Sequence, residues 1–327
     1  IQEIRHSFLT EKDRQECLSS HCPQTGKNAC PPTVPRPLTT MHIAYSSNAY
    51  RNFSVEEAIA RIAALGYEGL ELLADVPHAW PAGLLPERKR AIRECLEQHR
   101  LKISNVNAFM MNAVADPRQP FWHPSWIEPD PHYRAIRREH TIRALQLAQE
   151  LGGPSIQTEP GGPLAEGQSW SAAAAVFYEE FMPCVETAEK LEVHLLIEPE
   201  PGLMIETFEQ YLEFAGRINS PWVGLNFDVG HAYCVGQDPE DWIARMAPQT
   251  RHYHLEDIAA SRRHAHLVPG RGAVDIPAVL RQIERSGYRG WITVELYPYL
   301  DDPDAAGREA REYLFRLAIV GGSSPVI

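Results

Sequence analysis

The sequence predicts an α/β chain folded as a closed (β/α)8 barrel, and three observations carry that prediction. From Met41 onward, eight short apolar runs alternate with eight amphipathic segments. The runs are near-continuously apolar, as parallel strands covered by helices are. Four of them end on metal-type side chains: Glu198, Asp228, His254 and Glu295, with gaps of 30, 26 and 41 residues, each about one strand-plus-helix unit. Eight units in one domain favour closure over an open sheet, and no G-x-G-x-x-G follows a strand, which argues against a dinucleotide fold.

Taken in order, the first strand is expected at 42–47 (HIAYSS). Ser54 with Glu57 three residues on forms a capping box, so a helix follows. Its stripe is Val55, Ala58, Ile59 and Ile62, and Gly66 stops it. Further strands are expected at 68–74, 101–108 and 154–159, with helices at 86–100, near 132–151 and at 170–191. In the second half, strands at 193–199, 223–228, 251–256 and 291–297 lead into helices at 206–218, 239–246, 275–286 and 304–318. Asp275 caps the third of these, whose Ile276, Val279, Leu280 and Ile283 share one face. Gly66-Tyr67-Glu68-Gly69 before strand two is echoed by Gly287-Tyr288-Arg289-Gly290 before strand eight, an internal repeat.

Residues 1–40 are unlike the rest. They hold three cysteines and a Pro-rich end, and show no sustained periodicity. They are expected to be an irregular N-terminal extension and not a signal peptide. The barrel is expected over 41–320, with a short tail at 321–327.

The formal charge of −12 repels polyanions, so neither nucleic acid nor an anionic membrane is an expected partner. No run approaches the roughly 18 apolar residues of a membrane span. Cys95 and Cys184 fall on predicted helices, which suits reduced thiols in a cytoplasmic protein. Lysine occurs five times, never at a predicted strand exit, which argues against Schiff-base chemistry. A G-x-S-x-G elbow is absent.

In a parallel barrel all strands point one way, so the four metal-type side chains converge at the carboxyl-terminal mouth. Singly, each has a plain alternative: Glu198 a solvated carboxylate, Asp228 a cap, His254 a core histidine, Glu295 an arginine partner. Together, three carboxylates buried without a cation would be costly. The set predicts a divalent ion, Mn²⁺ or Mg²⁺ first, with Co²⁺ or Zn²⁺ also accommodated. Such an ion can hold a hydroxy-ketone and stabilise an enediolate. Glu198 and Glu295, across the mouth from each other, are the natural acid–base pair. His231, three residues after Asp228, is placed for a substrate oxygen.

Two connections are long. Residues 109–131 contain Met110, Met111, Phe121, Trp122, His123 and Trp126 and follow strand three, so they read either as an aromatic substrate lid in which Trp122 and Trp126 stack on a sugar face or as a loop packed on its own barrel rim. Residues 257–274 hold Arg262, Arg263, His264, His266 and Pro269-Gly270-Arg271-Gly272.

The segments IEPEP, NFDVGHA, HYHLED with a following PGRG, and ITVELY resemble the signatures of the xylose isomerase-like TIM barrel superfamily. The nearer likeness is to its sugar phosphate isomerase/epimerase branch, which includes ketose 3-epimerases and inosose dehydratases. It spans Met41 to about residue 318 and is strongest from 193 to 297. The resemblance implies a (β/α)8 TIM barrel with Glu198, Asp228, His254 and Glu295 as metal ligands. It implies Glu198 and Glu295 as the acid–base pair, His231 as a substrate ligand, and a small carbohydrate or polyol as substrate. Barrels of this kind often pair, which leaves a homodimer open. The epimerases carry a substrate-binding Arg six residues after the metal His, where this chain has Ala260. Either Arg262, Arg263 or Arg271 substitutes or the substrate differs, and the PGRG amides either hold a phosphate or carboxylate or form a plain turn.

The expected function is therefore a metal-dependent isomerase or epimerase working by proton transfer beside a carbonyl. A metal-dependent dehydratase acting on a keto-polyol such as an inosose is the alternative. Phosphodiester cleavage, as in endonuclease IV, is less favoured because strand three offers Asn105 and Asn107 in place of His and the charge is acidic. A non-catalytic binding barrel is disfavoured because all four ligand types are retained.

Overall fold

The computed structural model describes residues 41–114 and 121–320; the expected N-terminal extension and C-terminal tail lie outside the described residues. Eight parallel strands close into a barrel in sequence order. They are β1 (His42–Ser46), β2 (Gly69–Leu73), β3 (Lys102–Asn107), β4 (Ser155–Thr158), β5 (His194–Ile197), β6 (Val223–Asp228), β7 (Thr250–Leu255) and β8 (Trp291–Val294). Closure is by β8 on β1, with Ile43 opposite Ile292 and Tyr45 opposite Val294.

The helices follow from local chemistry. α1 (Val55–Ala64) opens on the expected capping box: Ser54 Oγ accepts from Glu57 N, and the Glu57 carboxylate accepts from Ser54 N at 2.9 Å. α2 (Pro86–His99), α3 (Pro131–Leu151) and α4 (Trp170–Leu191) complete the first half. α5 (Phe208–Ala215) is shorter than the periodicity suggests, because Thr207 and Gln210 build a second capping box that fixes its start. α7 (Pro239–Met246), α8 (Ile276–Arg285) and α9 (Pro303–Val320) complete the second half, and Asp275 caps α8 as expected. Gly66 and Gly287, the echoed pair, both take positive φ (84° and 81°) at helix ends, a conformation that favours glycine.

One helix was not legible from periodicity. α6 (Val229–Cys234) follows β6 without a loop, and Asp228 caps it by accepting from His231 N at 2.7 Å. The reading of Asp228 as a cap and the reading of it as a ligand are thus both compatible with its two oxygens.

The apolar core lies between sheet and helices. Trp126 belongs to it: its ring is fully buried, stacks on Phe177 at 5.4 Å, and its Nε1 donates to Thr158 Oγ1. The barrel interior, by contrast, is a polar lattice. Ser104 and Thr293, on the non-adjacent β3 and β8, hydrogen-bond at 3.0 Å, so the bond crosses the inside of the barrel. His252 joins Thr293 at 2.8 Å and Asn226 at 2.7 Å, and Ser155 donates to Asn105. Buried polar groups paired this densely fix each other's orientation. They form the floor on which the next layer rests.

Candidate metal centre and active site

Glu198 directly follows β5, Asp228 ends β6, His254 is one residue from the end of β7, and Glu295 directly follows β8. One ligand atom from each lies within 4.8 Å of all the others, and all four side chains are buried. The structure therefore brings the four together at one end of the barrel. His254 Nδ1 stands 2.7 Å from Glu198 Oε1, 3.4 Å from Glu295 Oε2 and 3.7 Å from Asp228 Oδ2.

The donor set fits a divalent ion. Asp228 Oδ2 and Glu256 Oε2 are both buried without a hydrogen-bond partner, and the two carboxyls lie against each other, an arrangement that is costly unless a proton or a cation is shared between them. Burial drives the Glu198 carboxyl up, opposed by His254 and reinforced by Asp228 and Glu71. Glu295 is pushed well up by burial, against His254, with Glu198, Glu71 and Asp228 repelling its charge. Burial works against a charged His254, yet Glu71, Glu295 and Glu198 overcome it and hold the imidazole well above its ordinary range.

Glu71 was not singled out from the sequence. It lies mid-strand in β2, fully buried, and its Oε2 stands 2.7 Å from His254 Nε2. Burial alone would raise its carboxyl, but the His254 charge and hydrogen bond outweigh that and hold it down at about 2. With Nε2–H committed to Glu71, the Nδ1 lone pair of a neutral His254 is aimed at the other three ligands. A glutamate inside an apolar strand run was the available signal.

Above the cluster opens a cavity of about 390 Å³ that reaches it through Glu198 and Glu295. Asn48 and Asn107 donate to Glu295 Oε1 at 2.7 and 3.3 Å. Phe109, Met110 and Phe121, from the long connection after β3, line one wall. Trp122 and Trp126, expected to stack on substrate, are not among the lining residues. The connection is instead clamped from below: the buried Arg137 donates to the carbonyls of Ala108, Phe109, Pro124 and Trp122.

The facing wall is histidine-rich. His231 lines it, as expected of a substrate ligand, and its Nδ1 donates to the Pro199 carbonyl at 2.9 Å. His266 Nδ1 donates likewise to the Glu295 carbonyl at 2.9 Å. Both Nε2 atoms are therefore lone-pair acceptors, and both meet His264 Nε2, at 3.1 and 3.2 Å. Burial holds His231 well below its ordinary range, with His264 adding repulsion, and lowers His266 to about 3. Three neutral imidazoles so arranged could bind hydroxyl groups or hold an ion. Glu200 closes the wall 3.2 Å from His231 Nε2 and 3.3 Å from His264 Nδ1, and burial beside Glu198 and Asp228 raises its carboxyl well above the ordinary range.

The expected arginines lie elsewhere. Arg262 covers the Tyr233 ring at 4.7 Å and donates to the Tyr233 carbonyl, and Arg271 pairs with Glu309 at the surface. Neither lines the cavity.

The model of the family described as Xylose isomerase-like TIM barrel matches residues 59–317. The chain belongs to this family. Among its xylose isomerase-like relatives, an inosose dehydratase of Clostridium beijerinckii is 22% identical over 79% of this chain and 88% of its own length. A fructoselysine 3-epimerase of Escherichia coli O157:H7 is 22% identical over 80% of this chain and 93% of its own. Of solved structures, a D-tagatose 3-epimerase-like protein superposes with a TM-score of 0.74 at 21% identity, covering 86% of this chain and 98% of that one. The IOLI protein, described with a binding zinc atom, superposes with a TM-score of 0.68 at 18% identity, covering 87% of this chain and 100% of that one. The two sequence relatives are a dehydratase and an epimerase, so an enzyme is the coarse conclusion. Among the described residues, no helix is long and apolar enough to cross a membrane.

Proposed function

We propose that the protein is a divalent-metal-dependent isomerase or epimerase that moves a proton beside the carbonyl of a sugar or polyol. The observation that carries this reading is the pairing of Glu198 and Glu295. Both carboxylates belong to the four-ligand cluster, and both also line the cavity above it. Glu198, Asp228, His254 and Glu295 would hold the ion, Mn²⁺ or Mg²⁺ first. When bound, it would supply Lewis-acid polarisation of the substrate carbonyl.

The chain's own groups do the rest. Burial and mutual repulsion raise both carboxyls, which opposes the loss of basicity that a cation held by them would cause. One takes the proton from carbon, and the other returns one. The Asn48 and Asn107 amides fix the Glu295 rotamer. Substrate hydroxyls would replace the His264 N–H as donors to the Nε2 atoms of His231 and His266, which orients the sugar in the cavity.

A second reading, elimination of water from a keto-polyol, is favoured by Glu200. Its carboxyl lines the cavity and is raised by burial, which suits the role of proton donor to a departing hydroxyl, and inosose dehydratases are among the relatives. Solvent deuterium exchange over a panel of ketoses and inososes with Mn²⁺, followed by product analysis, separates the two. The proposal expects carbon-bound deuterium in the wild type and none in Glu295→Gln. Equal exchange in both would remove Glu295 from the mechanism, and loss of water without epimer would favour the lyase.

A further inference from the structure

Among the described residues, the cavity is lined by a guanidinium that no carboxylate pairs with. Among the described residues, Arg51 is the only lysine or arginine lining it. It reaches the mouth because it directly follows the single 3-10 turn (Ser47–Tyr50) that leaves β1. Its Nε is buried and has no hydrogen-bond partner. Among the described residues no carboxylate pairs with it, whereas other arginines are engaged: Arg61 with Asp304, Arg137 with backbone carbonyls, Arg262 with the Tyr233 carbonyl and Arg271 with Glu309. A partly desolvated guanidinium without an acceptor is unfavourable, and a fold retains one most readily where a ligand completes it.

Its surroundings narrow the ligand. Asn48, also lining the cavity, has a buried Oδ1 without a partner, and the amide of Asn112 is committed to Asp75 at 2.7 Å. Glu198, Glu200 and Glu295 line the cavity too and would repel an anion placed against them. A substrate with one anionic end therefore has one favourable orientation, with the anion on Arg51 and its hydroxyls on the imidazoles. Phe109 and Phe121, stacked at 6.1 Å, supply apolar wall alongside.

We propose that Arg51 is a specificity-determining residue that binds a terminal carboxylate or phosphate, so that the substrate is an anionic keto-sugar and not a neutral one. The orientation of the substrate rests on the proton-transfer reading above; the preference for an anion does not. Arginine's planar fork suits both oxyanions, and the two are separated by experiment.

The test is calorimetric titration of the Mn²⁺-loaded protein with three ketohexoses that differ only at C6: D-fructose, D-fructuronate and D-fructose 6-phosphate. At least one anion is expected to bind tenfold or more tightly than fructose. Arg51→Gln should remove that advantage while its loss does not fall on fructose, and Arg51→Lys should restore part of it. The anion that leads identifies carboxylate or phosphate as the group recognised. Fructose binding as tightly as both anions, failure of both anions to bind at millimolar concentration, or equal weakening of all three ligands by Arg51→Gln would overturn the proposal. Deuterium exchange on the same ligands keeps the two ideas apart. Anion preference without exchange would sink the proton-transfer reading and leave Arg51 standing; exchange indifferent to Arg51 would do the reverse.

Discussion

Glu71 and His254 stand on strands far apart in the barrel order, yet the Glu71 Oε2 and His254 Nε2 atoms are 2.7 Å apart. The contact crosses the barrel interior and fixes which imidazole nitrogen faces the other ligands. Partners of this kind raise ligand basicity and orient the ring, and their loss commonly weakens metal affinity by about 10–100-fold. Glu71→Gln is therefore expected to weaken Mn²⁺ binding within that range while the fold persists. Unchanged affinity by titration calorimetry would show that His254 needs no such orientation.

Metal should stabilise the fold by mass action. At a free concentration one hundred times Kd, the gain is about 2.7 kcal/mol. For a domain of this size that is a rise of several degrees in Tm, reversed by chelator. The absence of any shift with Mn²⁺, Mg²⁺, Co²⁺ or Zn²⁺ would favour a barrel without an ion.

The histidine wall admits a count. Glu200, protonated, can donate to His264 Nδ1, and His264 Nε2–H can then serve the lone pairs of His231 and His266. That network is satisfied without a second ion. Elemental analysis is expected to give one Mn²⁺ per chain in the wild type and in His264→Asn alike. A fall from two to one would make these imidazoles metal ligands.

Glu159, just beyond β4, gives a pH signature. Burial pushes its carboxyl up to about 7, against the pull of Arg137 at 3.8 Å and of the Trp126 amide. The folded state thus holds this proton more tightly than the unfolded chain. The contribution is complete below about pH 4 and is lost as pH rises toward 7. Urea midpoints of the wild type should fall between pH 5 and 8 relative to those of Glu159→Gln, which cannot titrate there. Parallel pH slopes for the two proteins would contradict the shift.

What the sequence made legible follows from range. Strand and helix periodicity is local, and so are the Ser54–Glu57 and Asp275 caps; these appeared where expected. The four metal-type side chains were readable because strand exits in a parallel barrel share one end. Glu71 and His252 were missed because their partners lie on other strands, and their polarity in apolar runs makes sense only once the interior is known to be a polar lattice. The lid aromatics divided for a similar reason. Nothing local separates Trp126, which fills the gap beside Phe177, from Phe121, which reaches the cavity. The substrate arginine was sought after β7 by analogy of spacing, whereas the unpaired guanidinium in the cavity comes from the other side, after β1.

The most direct measurement is anomalous diffraction at the manganese edge from a crystal of the protein grown with Mn²⁺. The account predicts one strong peak within bonding distance, about 2.0–2.3 Å, of Glu198, Asp228, His254 and Glu295 together. A cavity with no peak, or a peak bound by other side chains while those four remain unliganded, would contradict it.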